Sequence, residues 1–230
     1  MTSLAQTVRA GLTQIADPVR APAMQAYMKS AMPYLGVSAV PLRQFCKAAF
    51  ADLAWDDTKK WQADALAVWR GAQFREERFC AIELTGLRTA KSFQRIDALP
   101  MYEEMIVSGA WWDYVDNIAG QRLWTLLQND REPMAKAMLD WSTDDDMWKR
   151  RSSILCQLRA KSETDLDLLY ACIEPSLDSK EFFLRKAIGW ALRQYARTDS
   201  AEVRRYVARN EDRLSGLSRR EALKHIGAIA

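Results

Sequence analysis

Apolar residues recur every three to four positions along nearly the whole chain, the spacing that gathers them on one side of an α-helix. Leu166, Leu169, Tyr170 and Ile173 form one such stripe, and Phe183, Ala187, Trp190 and Ala191 form another. The alternation expected of half-buried strands is hard to find. Capping residues with an acid behind them predict helix starts at Asp56, within Ser142 to Asp145, at Ser162-Glu163, at Ser179 with Glu181, at Ser200 with Glu202, and at Ser218 with Glu221. Pro18, Pro33, Gly36, Pro41, Pro100, Pro133 and Gly216 punctuate the pattern as breakers. The chain therefore reads as all-α, with about a dozen helices of roughly ten to eighteen residues and short loops. No Ser/Gly-rich linker interrupts it, so one continuous domain over residues 1–230 is expected.

A faint repeat lies over the helical pattern. Arg78-Phe79-Cys80-Ala81-Ile82, Asp116-Asn117-Ile118-Ala119, Arg151-Ser152-Ser153-Ile154-Leu155 and Lys186-Ala187-Ile188-Gly189-Trp190 each set one charged residue before small and apolar ones. Their spacings are 38, 35 and 35 residues. Helix-pair repeats of the HEAT and armadillo kind have periods of about this size. Stacked in register, the charged positions would line one face of a helical-repeat solenoid, a concave and extended surface suited to a long partner. Periodicity alone gives a charged groove and no chemistry.

Composition narrows the partner. Apolar residues make up 49% and charged residues 27%, which excludes a disordered chain. Nine Gly and seven Pro are too few for a turn-rich all-β protein, while nine Trp are unusually many. Net charge is only +3, but Phe182 to Lys224 holds eleven Lys or Arg against five Asp or Glu. A basic C-terminal part points to a polyanion, with a solvated helix face as the plain alternative. The four cysteines are dispersed, and with a single histidine they form no zinc spacing, so reduced thiols and a cytoplasmic protein without metal are expected. The N-terminus lacks the pattern of a signal peptide, and no apolar run is long enough to span a membrane.

The chemistry-bearing residues are few. His225, the lone histidine, is a poor centre for a hydrolytic triad, and no Gly-rich phosphate loop is present, so no nucleotide cofactor is expected. What remains is Trp111-Trp112-Asp113-Tyr114-Val115-Asp116. Trp112 and Asp116 are four residues apart and share a helix face. A carboxylate beside an indole would stabilise a cation by Coulomb and cation–π attraction, although a core tryptophan beside a surface acid is the plain reading. Trp148-Lys149-Arg150-Arg151 and the run Arg185 to Arg193 fall on the next two repeats, so one face would show Trp112, Asp116, Arg151, Lys186 and Trp190 together.

With these residues assembled, the sequence resembles the AlkD family of alkylpurine DNA glycosylases, built from HEAT-like helical repeats. The resemblance rests on Tyr27-Met28-Lys29, Pro33-Tyr34-Leu35-Gly36-Val37, Trp111 to Asp116, Trp148 to Arg151 and Lys186 to Arg193, in that order through most of the chain. It implies a solenoid with a concave DNA-binding groove, and a monofunctional glycosylase acting as a monomer on double-stranded DNA that contains alkylated purines. By the same resemblance Asp116 is the catalytic carboxylate, Trp112 and Trp190 are paired aromatic walls, Arg151 contacts the DNA backbone, and Tyr27 supports the groove. Lys186 shares the groove position, and Arg43, Lys47 and Arg193 are further candidate phosphate contacts. No cofactor is implied. Two alternatives are a non-catalytic repeat protein binding damaged or branched DNA, and a HEAT-type protein scaffold.

Overall fold

A computed structural model describes residues 3–226, and among them every regular element is a helix. The chain divides into two compact units, 1–94 and 95–230.

The first unit holds α1 (Leu4–Gln14), α2 (Ala21–Met28), α3 (Ala39–Ala49), α4 (Thr58–Arg70) and α5 (Arg75–Thr85), followed by a 3₁₀ turn at Arg88–Phe93. Ser3 starts α1 with a reciprocal cap: its hydroxyl accepts from the Gln6 N–H at 3.2 Å, and the Gln6 side chain accepts from the Ser3 N–H at 2.9 Å. Val8, Leu12, Leu42, Cys46, Trp61, Trp69 and Ile82 fill the core from α1, α3, α4 and α5. A buried carboxylate closes the loop before α3. Glu76 accepts from the N–H groups of Leu35, Gly36 and Val37 at 3.1, 2.9 and 3.1 Å. Gly36 sits at φ +85°, and a Cβ there would lie 2.0 Å from the Asp17 carbonyl oxygen, so the loop requires glycine. Arg75 adds a 2.9 Å bond from Nε to the Tyr34 hydroxyl. The Pro33 to Val37 motif is thus an architectural one, held by the start of α5.

The second unit is a succession of helix pairs. Its outer helices are α6 (Leu99–Gly109), α9 (Arg131–Ser142), α11 (Leu166–Ile173) and α13 (Ser200–Arg209). Its inner helices are α7 (Trp112–Asn117), α10 (Met147–Leu155), α12 (Phe182–Tyr195) and α14 (Gly216–Leu223). A π-helical segment, Ile118–Leu123, joins α7 to α8 (Trp124–Asn129). The inner helices pack side by side, α10 on both α7 and α12, and α12 on α14. Side-chain ties repeat the period: Arg95 to Asp130, 35 residues on, Arg131 to Asp165, 34 on, and Arg213 to Asp178, 35 back. The helical repeat expected from the sequence is therefore built into the tertiary contacts. Most tryptophans belong to the cores, with Trp61, Trp69, Trp124, Trp141 and Trp148 all buried.

The predicted helix starts are displaced by small amounts. Asp57, Asp146, Asp165 and Asp199 cap α4, α10, α11 and α13 with their side chains, within one to three positions of the residues expected. Ser218 is not a cap: Ser215 starts α14, and buried Ser218 donates to the Arg185 carbonyl at 2.9 Å. Several expected breakers are instead first-turn residues. Pro41, Pro100 and Pro133 lie inside the starts of α3, α6 and α9, where a missing N–H costs nothing. The helices are also shorter than expected, from six to fourteen residues.

Candidate active site

The starts of three consecutive inner helices meet in an aromatic cluster. Trp111, capping α7, lies 6.2 Å from Trp148 of α10 and 5.6 Å from Phe183 of α12, and Trp148 lies 5.0 Å from Phe183, between ring centroids. Tilted and edge-on rings at these separations pack favourably, by roughly 0.5–1.5 kcal/mol a pair beyond area burial. One ring comes from each repeat, so the cluster fixes the spacing of the three helix starts.

Asp116 and Arg151 sit one turn further along. Arg151 grips Asp116 with two prongs, Nε to Oδ1 at 2.7 Å and Nη2 to Oδ2 at 2.8 Å. Its Nη1 donates to the Phe183 carbonyl, and its guanidinium carbon lies 5.9 Å from the Phe183 ring. The arginine side chain is 5% exposed and the aspartate 12%. Burial pushes the Asp116 carboxyl above the usual aspartate range, while Arg151 pulls it back by hydrogen bonding and charge. The result is an oriented carboxylate in a largely dry setting with one edge open to solvent. Trp112, half-buried, lies one turn before Asp116, and the π-helical segment begins two residues after that aspartate. Such segments recur at functional sites.

A family profile of DNA alkylation repair enzymes matches residues 8–226. The chain belongs to the DNA alkylation repair enzyme family. A solved structure from Enterococcus faecalis, described as a predicted DNA alkylation repair enzyme, superposes with a TM-score of 0.83 at 26% identity, covering 93% of this chain and 98% of that one. No curated protein matches. Membership supports a role in DNA repair and agrees with the all-helical repeat fold.

In this family member the remaining candidates fall in different places. Arg151, expected to reach the DNA backbone, holds Asp116 in this structure and has almost no exposed surface. Lys186 and Arg193 lie on α12 on either side of Trp190, four and three residues away, and both bind one carboxylate, Glu221 of α14; the Lys186 Nζ is 2.9 Å from its Oε1. Hydrogen bonding from Lys186, with Arg193 beside it, holds the Glu221 carboxyl below the usual glutamate range. Trp190 is half-buried, while Ile188 and Leu192 take the core side of α12. In the first unit Tyr27 is 78% exposed near the end of α2, and Arg43 and Lys47 are exposed on α3. His225 is exposed just beyond α14. Sequence reasoning missed Glu221 as a partner. The signal was present: Glu221 lies 35 residues after Lys186 and continues the row Asp116, Arg151, Lys186. Along that row the pairs alternate, Asp116 with Arg151 and Lys186 with Glu221.

Proposed function

We propose that the protein is a monofunctional DNA glycosylase, hydrolysing the N-glycosidic bond of purines made cationic by alkylation at N3 or N7 and leaving an abasic site. The observation that carries this reading is the Asp116 carboxylate, oriented by Arg151 in a dry site beside Trp112. Alkylation at N3 or N7 already makes the base a good leaving group, so little acid catalysis is required. As the bond lengthens the sugar takes on oxocarbenium character. A fixed carboxylate at low local dielectric stabilises that charge and can orient the attacking water through its open edge. Arg151 keeps Asp116 ionised and aimed, so in this account it acts through the aspartate. Trp112 and Trp190 would flank the lesion nucleotide and shield the cation. Lys186 and Arg193, held by Glu221, would meet backbone phosphate. The chemistry calls on no group beyond these side chains.

Incubating the purified protein with a duplex carrying one 7-methylguanine tests the reading. Free 7-methylguanine by chromatography, with strand breakage appearing only after alkali, is the expected result. Steeply salt-dependent binding without release of base would replace the glycosylase with the non-catalytic DNA binder.

A further inference from the structure

Two clefts, one in each unit, are built from the same repeat positions. In the second unit a cavity of about 280 Å³ opens between the C-terminal parts of α10 and α12, and its lining includes Ile154, Gln157, Leu158 and Lys161 on one side and Gln194, Arg197 and Thr198 on the other. In the first unit a cavity of about 310 Å³ opens beside α3 and the end of α5, with Arg43, Cys46, Lys47 and Phe50 facing Glu83, Gly86 and Leu87. Taken in order, each of these first-unit residues precedes its second-unit counterpart by 111 positions, about three repeats. The recurrence follows from the architecture. Where two packed helices end, α3 beside α5 and α10 beside α12, their connections leave the same gap, and each sequence fills its rim differently.

Both rims are cationic. The second-unit cleft holds Lys161 and Arg197 and no carboxylate, with Gln157, Thr164, Gln194 and Thr198 as further polar groups. The first-unit cleft holds Arg43, Lys47 and Arg88 against one acid, Glu83. These five cations are exposed, and among the described residues none has a carboxylate partner. That sets them apart from Arg151, Lys186, Arg193 and Lys149, each committed to an acid. Lys161 is also held at φ +53°, a left-handed conformation that costs a non-glycine residue energy and that clusters at functional positions. The floor of the second-unit cleft is apolar, with Ile154, Leu158, Leu169 and Ala191, and has room for a phosphate with part of its sugar. Arg197 lies in the turn just beyond the C-terminal end of α12.

We infer that each cleft seats a phosphate of the DNA backbone, so that the repeat supplies a recurring anion seat in addition to the site at Asp116. The inference rests on the DNA-repair reading and extends it to Lys161, Arg197 and Arg88. Binding at these seats would be independent of sequence and would add to the salt dependence of affinity, since each neutralised phosphate releases counterions.

The test uses fluorescence anisotropy of an undamaged duplex over a salt series, on the full chain and on two double variants, Lys161→Gln/Arg197→Gln and Lys47→Gln/Arg88→Gln. The slope of log affinity against log salt is expected to flatten by about one for each phosphate that is no longer neutralised. Lys161→Arg and Arg88→Lys are expected to keep the steep slope. A parent chain that binds steeply with salt, together with double variants whose slope and affinity are unchanged, overturns the inference and leaves the proposed function standing. A parent chain with no salt-dependent binding overturns both. Variants that lose thermal stability without any change in slope would make these cations neutralisers of helix C-termini and would also overturn it. Calorimetry with deoxyadenosine monophosphate separates the sources: cleft-dependent binding of the mononucleotide with an unchanged duplex slope contradicts the backbone assignment.

Discussion

Arg151 and Asp116, 35 residues apart in sequence and on adjacent inner helices, form a two-pronged ion pair at 2.7 and 2.8 Å that is nearly closed to solvent. A pair this dry contributes to stability mainly through what happens when one partner is removed. Arg151→Gln leaves a largely sheltered carboxylate without its cation and is expected to cost about 3 kcal/mol, at the low end for broken buried pairs because a small part of Asp116 meets water. Urea unfolding measures it. The double variant with Asp116→Asn is expected to recover part of the loss. Full additivity of the two single changes would show that the pair is not coupled.

The same variant carries a pH signature. Burial already raises the Asp116 carboxyl and Arg151 opposes that rise, so removing Arg151 is expected to lift it further. Any residual excision by Arg151→Gln should then need higher pH to reach its plateau than excision by the parent chain. Coincident pH profiles would place the activity on another group.

Glu221 gives a prediction on stability. Its folded-state carboxyl is lowered by Lys186 and Arg193, so it contributes stability above the unfolded glutamate value, near ~4.3, and loses it as pH falls through the lower folded value. Glu221→Gln is expected to remove that acid-limb dependence and to free two cations, strengthening duplex binding at low salt. Chemical unfolding between about pH 3 and 7, with anisotropy beside it, reads both effects. An unchanged acid limb would mean that Glu221 is not coupled to the two cations.

Glu76 is the corresponding anchor of the first unit. Glu76→Ala strands the N–H groups of Leu35, Gly36 and Val37, each costing about 1–3 kcal/mol when buried without a partner. A loss of at least about 3 kcal/mol in urea unfolding is expected. A loss below about 1 kcal/mol would show that water replaces the carboxylate.

Selection by bond lability and charge, without a deep base pocket, predicts that a duplex with neutral hypoxanthine is processed far more slowly than one with 7-methylguanine. Equal rates would require a base-reading pocket and would contradict the electrostatic account.

Much of the architecture is legible in the sequence because a repeat imposes two periods at once. Helical spacing marks the elements, and the spacing of 35 sets the register that brings Asp116 to Arg151. What the sequence hides is direction. Arg150 and Arg151 are adjacent, but only the packing of α10 between α7 and α12 decides which turns inward. Phe183 reads as a stripe residue because it is apolar, yet it stays half-buried and joins Trp111 and Trp148 above the ion pair. The helix starts are displaced because Ser, Thr and Asp crowd these loops, and the capping position depends on which side chain reaches back to a free N–H. Glu221 reads as the acid of a capping pair, although its distance from Lys186 matches the repeat.

The most direct test of the central claim is the single-turnover rate of 7-methylguanine release from a duplex at saturating protein, comparing the parent chain with Asp116→Asn. The account predicts a large fall, on the order of a hundredfold or more, as expected when a preorganised charge facing a developing cation is removed, with duplex binding retained. A rate for Asp116→Asn within a few-fold of the parent would contradict it and remove Asp116 from the chemistry.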